Sequence, residues 1–325
     1  MTIVPDAHRS VAKRTGAIEW PTVAILIGAY AIWLLGTGPL WSLSPLVGLV
    51  ATTIAIAQFS SLQHEVLHGH PFASRRVNEA LVFPGLTLVI PYGRFRDTHL
   101  AHHYDPSLTD PYDDPESNYQ DPDAWARLPR WVQRVLRLNN TLLGRMLLGP
   151  AVSIVMFVRG DLALLRAGDA AVRRAWVLHG WGVAMVLVWL LAFGAMPIWA
   201  YALAAYAGIS LLKIRTFAEH RAHTAARART VVIEDRGPLA LLFLNNNLHS
   251  VHHMHPTVPW YQLPALYAGN RDHYLRRNEG YVFAGYGHVF RSYLFRAKDP
   301  VPHPVWPMHR LDLRDADPRD ADLTD

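Results

Sequence analysis

The chain has 325 residues and not one cysteine. Disulfides, thiolate zinc sites, a cysteine nucleophile and Cys-ligated iron–sulfur clusters are thereby excluded. There is also no G-x-G-x-x-G stretch, and so no flavin or nicotinamide fingerprint. Charge is missing over two long blocks. Neither the 44 residues from Trp20 to Gln63 nor the 38 from Ala175 to Leu212 contain Asp, Glu, Lys or Arg. One crossing of a hydrocarbon core takes about 20 apolar residues, so each block holds two. Each also breaks near its middle, at GTGPLWSLS (36–44) and at FGAMP (193–197). The expectation is an all-α integral membrane protein with two transmembrane helical hairpins, spans 21–40 with 44–62 and 176–193 with 198–213.

Basic residues set the orientation. Both tight connections lack Lys and Arg, whereas Arg9, Lys13, Arg14, Arg173, Arg174, Lys213 and Arg215 flank the blocks. By the positive-inside rule both hairpins begin and end on the cytoplasmic side. The first apolar stretch exceeds a signal-peptide core and lacks a small-residue cleavage site, so it is expected to stay in the mature chain. Residues 63–175 and 214–297 then form one cytosolic cap, within a single domain over 1–297. Two shorter apolar runs, 80–91 and 146–158, suit re-entrant or interfacial segments. Between them lies an Asp- and Pro-rich loop (105–123), and the tail 298–325 has a similar composition that predicts disorder. A net charge of +5 fits anionic lipid or an acidic protein partner, and is too diffuse for nucleic acid.

What is present is histidine, at eighteen positions. Eight fall into three groups: HEVLH with His64 and His68, HLAHH with His99, His102 and His103, and HSVHH with His249, His252 and His253. At this composition HxxHH is expected roughly 0.05 times by chance, and it occurs twice. On a helix, positions i, i+3 and i+4 share a face, so each group aims its imidazoles one way. His220, in RTFAEH just past the fourth span, is a ninth candidate, with His223 a competitor. Nine imidazoles exceed one four-coordinate ion and suit two ions of higher coordination number. Imidazole alone is compatible with Fe, Zn, Cu or Ni. Without carboxylate or thiolate, beside an apolar membrane cavity, the set fits oxygen activation by two irons for attack on an unactivated C–H bond.

These motifs resemble the three histidine boxes of integral-membrane fatty acid desaturases and hydroxylases. The likeness extends to HEVLHGHP (64–71), RFRDTHLAHHYD (94–105) and NNLHSVHHMHPTVPWYQLPALY (246–267), which are similar to the bacterial acyl desaturase branch. The resemblance implies four membrane helices under a helical cytosolic cap, in the inner membrane, with termini and active site cytoplasmic. It further implies two Fe ions held by His64, His68, His99, His102, His103, His220, His249, His252 and His253, with O2 as co-substrate and a lipid or acyl chain as substrate. By analogy one iron takes His64, His103, His220, His249 and His253, and the other takes His68, His99, His102 and His252. No haem-binding HPGG stretch is present, so electrons must come from a separate protein such as ferredoxin with its reductase. Arg-rich stretches at 221–229 and 271–277 suit that partner or lipid phosphates.

Metal-bound imidazoles usually pass their other N–H to a carboxylate or carbonyl. Glu65, Asp105, Glu219 and Asp272 are candidates for that task. Asn246 and Asn247 either orient a ligand or cap the helix carrying His249. His70 and His255, each two residues beyond a box ligand and before Pro, are read as supporting; His179 stands alone in a span, His273 and His288 lack partners at helical spacing, and His303 and His309 are read as solvated. Desaturation ranks first, ahead of hydroxylation, ketolation and oxidative decarboxylation. HEVLH is also a literal HExxH, which leaves an intramembrane zinc metalloprotease as a remote alternative. A metal transporter or sensor is disfavoured because the spans carry no charge.

Overall fold

The computed structural model describes residues 18–104 and 108–306. Arg9, Lys13 and Arg14 lie outside the described residues. The first apolar block folds as α1 (Trp20–Thr37), the short α2 (Pro39–Leu43) and α3 (Pro45–Leu67). Prolines stand in the first turn of all three, where the missing N–H has no intrahelical partner to lose. Ser44 caps α3 by accepting from Val47 N–H. The hairpin closes tightly because a Cβ at Gly36 would meet Thr52 Oγ1 at 2.6 Å, and one at Gly48 would meet Trp41 Cα at 2.6 Å. The second block folds as α9 (Ala170–Ala192) and α10 (Ile198–Thr216). Its tip docks on the first hairpin, where Ala195 and Met196 N–H both donate to the Thr37 carbonyl at 2.9 Å.

Of the segment 80–91, the first two residues end α4 (Arg75–Leu81) and the rest is not helical. It loops among the apolar helices, with Val82 and Leu86 buried against Phe59, Val186 and Tyr201. Irregular backbone survives at membrane depth only where protein satisfies its polar groups. Here Tyr30 donates to the Leu81 carbonyl, Tyr201 to that of Leu86, and His179 Nε2 to that of Leu88 at 3.1 Å. His179, alone in the sequence reading, thus has a partner.

Four described stretches are long and apolar enough to cross a membrane: Trp20–Leu43, Pro45–Leu67, Leu142–Arg166 and Ala170–Ala192. The third was expected to be short. The run 146–158 is part of α8 (Leu142–Arg166), a 25-residue helix that continues through Pro150. The expected span 198–213 is the body of α10, whose last turn carries Lys213 and Arg215 and lowers its apolar character. Three polar anchors at intervals of eight residues tie α8 to the cap helices Arg130–Asn139 and Tyr92–Tyr104 and to the neighbouring α9 and α10. Arg145 donates to the Asn139 carbonyl at 2.8 Å, Ser153 accepts from Lys213 at 2.7 Å, and Asp161 pairs with Arg94 at 3.0 Å and accepts from Trp176 at 2.8 Å.

The cap is built from α5 (Tyr92–Tyr104), α6 (Pro122–Arg127), α7 (Arg130–Asn139), α11 (Pro238–Leu242), α12 (His249–Met254), α13 (Leu263–Gly269), α14 (Arg271–Arg277) and α15 (Tyr286–Tyr293). A parallel ladder of β1 (Val232–Ile233) and β2 (Val282–Phe283) joins its two apolar cores. The start of the tail, 298–306, departs from expectation, and residues 307–325 lie outside the described residues. Residues 298–303 pack beside Tyr119 and Gln120, and His303, read as solvated, is 2% exposed. Its ring meets Thr109 Oγ1 at 3.2 Å. His309 lies outside the described residues.

Candidate metal centre

Four elements deliver nine imidazoles to one place. His64 sits in the last turn of α3 and His68 at its C-cap, while His99, His102 and His103 line α5. His249, His252 and His253 occupy α12. His220 lies on the loop after α10, in an isolated bridge to Thr230. His223 is elsewhere, facing Glu279 at 3.5 Å, so the geometry brings in His220 and not its competitor.

The rings fall into two groups whose ligand atoms all lie within 4.8 Å of one another. One holds His64, His68, His99, His103 and His252, the other His102, His220, His249 and His253. The family analogy also divides the nine rings five and four, with a different membership from the one this geometry groups together. Helix geometry supplies the reason. Residues i and i+4 point nearly alike, whereas neighbours differ by about 100°. The pairs 64/68, 99/103 and 249/253 therefore stay together, and the i+3 residues, His102 and His252, cross to the opposite group. His102 and His103 accordingly stand nearly perpendicular (86°), as do His252 and His253 (85°).

Distances between ring nitrogens test what the groups fit. Nε2 atoms approach at 3.0 Å for 99/103, 102/220, 220/249 and 249/253, and at 3.1 Å for 103/252. With metal–nitrogen bonds of about 2.1 Å, ligands at right angles lie roughly 3.0 Å apart and tetrahedral ones roughly 3.4 Å. The spacing fits ligands set at right angles, as around an ion of five or six coordination. Nε2 of His64 and of His68 are buried without any hydrogen-bond partner. Such orphaned nitrogens are costly in a protein interior and natural in a metal site.

Electrostatics agree. Burial, then the neighbouring imidazoles, hold His68, His249, His252 and His253 well below the usual histidine range. The same causes take His103 down to about 3. Neutral rings are the form that binds metal. His102 differs. Burial lowers it, but Glu116 and a hydrogen bond from Nδ1 to Asp114 at 2.8 Å outweigh burial and push it up to about 9. Burial pushes Glu116 up, yet the charges of His99 and His102 hold it below the carboxylate range.

The outer partners were partly missed in the sequence. Asp114 on His102 and Glu116 on His99 (2.9 Å) come from the loop read only as rich in Asp and Pro. Its signal was the density of acids just after an HxxHH group. Of the expected partners, Asn246 meets His249 Nδ1 at 3.1 Å, and Glu219 accepts from Asn246 at 3.2 Å and pairs with Arg215. Asn247 instead donates to the Ile233 carbonyl at 2.6 Å, and neither asparagine caps α12. Glu65 accepts from Trp260 N–H at 3.2 Å, away from any box imidazole among the described contacts, and Asp272 is 82% exposed beside Arg271. Asp105 lies outside the described residues. His70, read as supporting, is held by Glu19 at 2.8 Å. The Arg-rich stretch 221–229 is not a free basic face either. Arg229 is 2% exposed and donates to the carbonyls of His223 and Leu108, and Arg221 donates to that of Ala228.

Fold and site together define a membrane-embedded helical protein with a histidine centre shaped for two metal ions. Residues 39–285 match the family described as fatty acid desaturase, and the chain belongs to that family. No curated protein matches it. It is therefore an enzyme of desaturase/hydroxylase type in a family of membrane oxidoreductases that typically hold two irons.

Proposed function

We propose that the protein is an O2-dependent di-iron fatty acyl desaturase of the bacterial inner membrane. The observation that carries the reading is the pair of all-histidine groups with right-angle nitrogen spacing. Histidine without thiolate suits iron, and two bound irons would supply the oxidant for an unactivated C–H bond. The chain's own residues then have defined tasks. The nine imidazoles hold the ions, with Asp114, Glu116 and Asn246 fixing ring orientation through the far nitrogens. Making a C=C bond removes two hydrogens and two electrons from the chain. Reducing O2 to two waters takes four electrons, so two must come from a separate donor protein such as a ferredoxin.

A groove of about 980 Å³ lies along α11 and α13, lined by Leu241, Leu248, Trp260 and Tyr267 together with Arg236 and Arg271. Leu248 precedes His249 in the chain, but no box histidine lines the groove, and Glu234 and Asp235 stand beside the arginines, with Arg271 paired to Glu234 at 2.6 Å. A zinc protease would use Glu65 as its base, but Glu65 is engaged by Trp260 N–H, and His64 and His68 share their group with three further histidines.

Expression in a host of defined fatty acid profile should yield a new unsaturated acyl chain by gas chromatography–mass spectrometry. A hydroxylated product instead would move the assignment to the hydroxylase reaction. Unchanged lipids, with metal loaded and reductant supplied, would remove acyl chains as the substrate.

For topology, α10 is the fourth crossing in this reading and α8 lies along the cytoplasmic boundary, held to cap residues by Arg145 and Asp161 and to the last turn of α10 by the Lys213–Ser153 bond. The cysteine-free chain is suited to single-cysteine labelling. Cysteines replacing Leu138, in the last turn of α7 just before α8, and Arg166, at the far end of α8, should both react with an impermeant maleimide from the cytoplasmic side. A cysteine replacing Leu43, at the hairpin tip, should react only from the other side. Labelling of positions 138 and 166 from opposite faces sinks the boundary placement.

A further inference from the structure

We propose that the segment 298–303 is a working part of the metal centre and that Lys298 is the positioning residue of His220. The segment lies beyond the stretch that matches the family, residues 39–285. His220 is the one imidazole of the nine carried on a loop, so no helix sets its direction. Its Nδ1 is buried without a partner, unlike Nδ1 of His99, His102 and His249. Its place is therefore set through the backbone. Arg221 N–H donates to the Arg229 carbonyl at 3.0 Å, and Val231 N–H donates to that of Glu219 at 3.0 Å. The carbonyl of His220 itself accepts from Lys298 Nζ at 2.8 Å.

Lys298 is in turn held. Its side chain is 8% exposed and pairs with Asp299, and its own N–H donates to the Asn140 carbonyl at 3.1 Å. Asp299 accepts from Tyr119 Oη–H at 2.6 Å, and Tyr119 Oη accepts from Ala222 N–H at 2.8 Å. Gln120 N–H donates to the Val301 carbonyl at 2.9 Å, and His303 N–H donates to that of Gln120 at 2.8 Å. The segment thus staples the His220 loop to the loop that brings Asp114 to His102 and Glu116 to His99. His102 and His220 belong to the same group of four. That group depends on the staple, because two of its four ligands stand on loops or take their orientation from one. The group of five draws its imidazoles from the ends and faces of α3, α5 and α12, and only one of its five, His99 through Glu116, leans on the stapled loop.

Lys298→Met keeps the length of the side chain and removes the donor. The test uses the purified full-length chain in detergent, loaded anaerobically with Fe(II) or with Co(II) as a spectroscopic probe. Metal per chain is measured by mass spectrometry and the ligand field by absorption. This rests on the metal-binding reading above, and a wild-type chain that takes up no metal would overturn that reading first. With wild type at two ions, Lys298→Met should retain about one, and Lys298→Arg should recover the second. Tyr119→Phe, a milder change at the same staple, should weaken the second ion about tenfold. Thermal unfolding of the metal-free chains checks that the variants fold, and if Lys298→Met does not, Tyr119→Phe decides. Two ions with an unchanged spectrum in both variants, or equal loss of both ions, overturns the proposal.

Discussion

His252→Ala and His102→Ala each abolish lipid turnover, and each takes about one of two metal ions with it, but from opposite groups. That crossed outcome is the expected result of the i, i+3, i+4 geometry. His252 stands on α12 yet belongs with His64, His68, His99 and His103, and His102 stands on α5 yet belongs with His220, His249 and His253. Both rings are buried, at 2% and 0% exposure, and their Nε2 atoms lie 3.1 Å and 3.0 Å from ring nitrogens of the group each joins. The check is metal content together with a double variant. His252→Ala combined with His103→Ala should still retain one ion, since both changes fall in one group, whereas His252→Ala with His102→Ala should retain none. Equal metal content in the two double variants would refute the grouping.

Asp114→Asn and Glu116→Gln are expected to lower activity by about 10- to 100-fold, although neither carboxylate belongs to either group of possible metal ligands. The bond of His102 Nδ1 to Asp114 is fully buried, with side chains 0% and 1% exposed. Its pH signature is specific. In the metal-free chain His102 is held up to about 9, so it carries a proton at neutral pH that must leave before Nε2 can bind. Loading the group of four then releases one proton from this ring, and apparent affinity falls about tenfold for each unit of pH lost below about 9. Asp114→Asn removes one cause of the raised value, so less proton is released at pH 7 even as intrinsic affinity drops. Proton release in an unbuffered metal titration measures this. Unaltered release and affinity in Asp114→Asn would show that the carboxylate does nothing for the metal.

The two hairpins were legible because the absence of charge over 44 and 38 residues is a local property, and so were the tips at GTGPLWSLS and FGAMP. The eight box histidines were legible because their spacing is the helical repeat itself. His220 was readable only as one of two nearby histidines, since a loop has no repeat to choose between them. The three asparagines illustrate how far local reading goes. Asn245 and its neighbour Leu244 adopt positive φ (53° and 50°), Asn246 holds His249, and Asn247 holds the Ile233 carbonyl. One composition therefore serves three purposes, none of them a helix cap. Arg229 shows the opposite failure, a charge that looked like surface and is buried against backbone carbonyls.

By itself, the sequence determined that this is a helical membrane protein, with a cysteine-free, histidine-rich centre fed by three short motifs. Periodicity and charge act over one or two turns of chain, and those features need no longer range. Tertiary structure alone decided which imidazoles share an ion, since that depends on how α3, α5 and α12 face each other across more than 180 residues of sequence. It likewise decided that Asp114 and Glu116 are the carboxylates on the rings, and that Lys298 reaches back to His220. Each of these partners is chosen by proximity after folding, and no local pattern encodes a distance between segments so far apart in the chain.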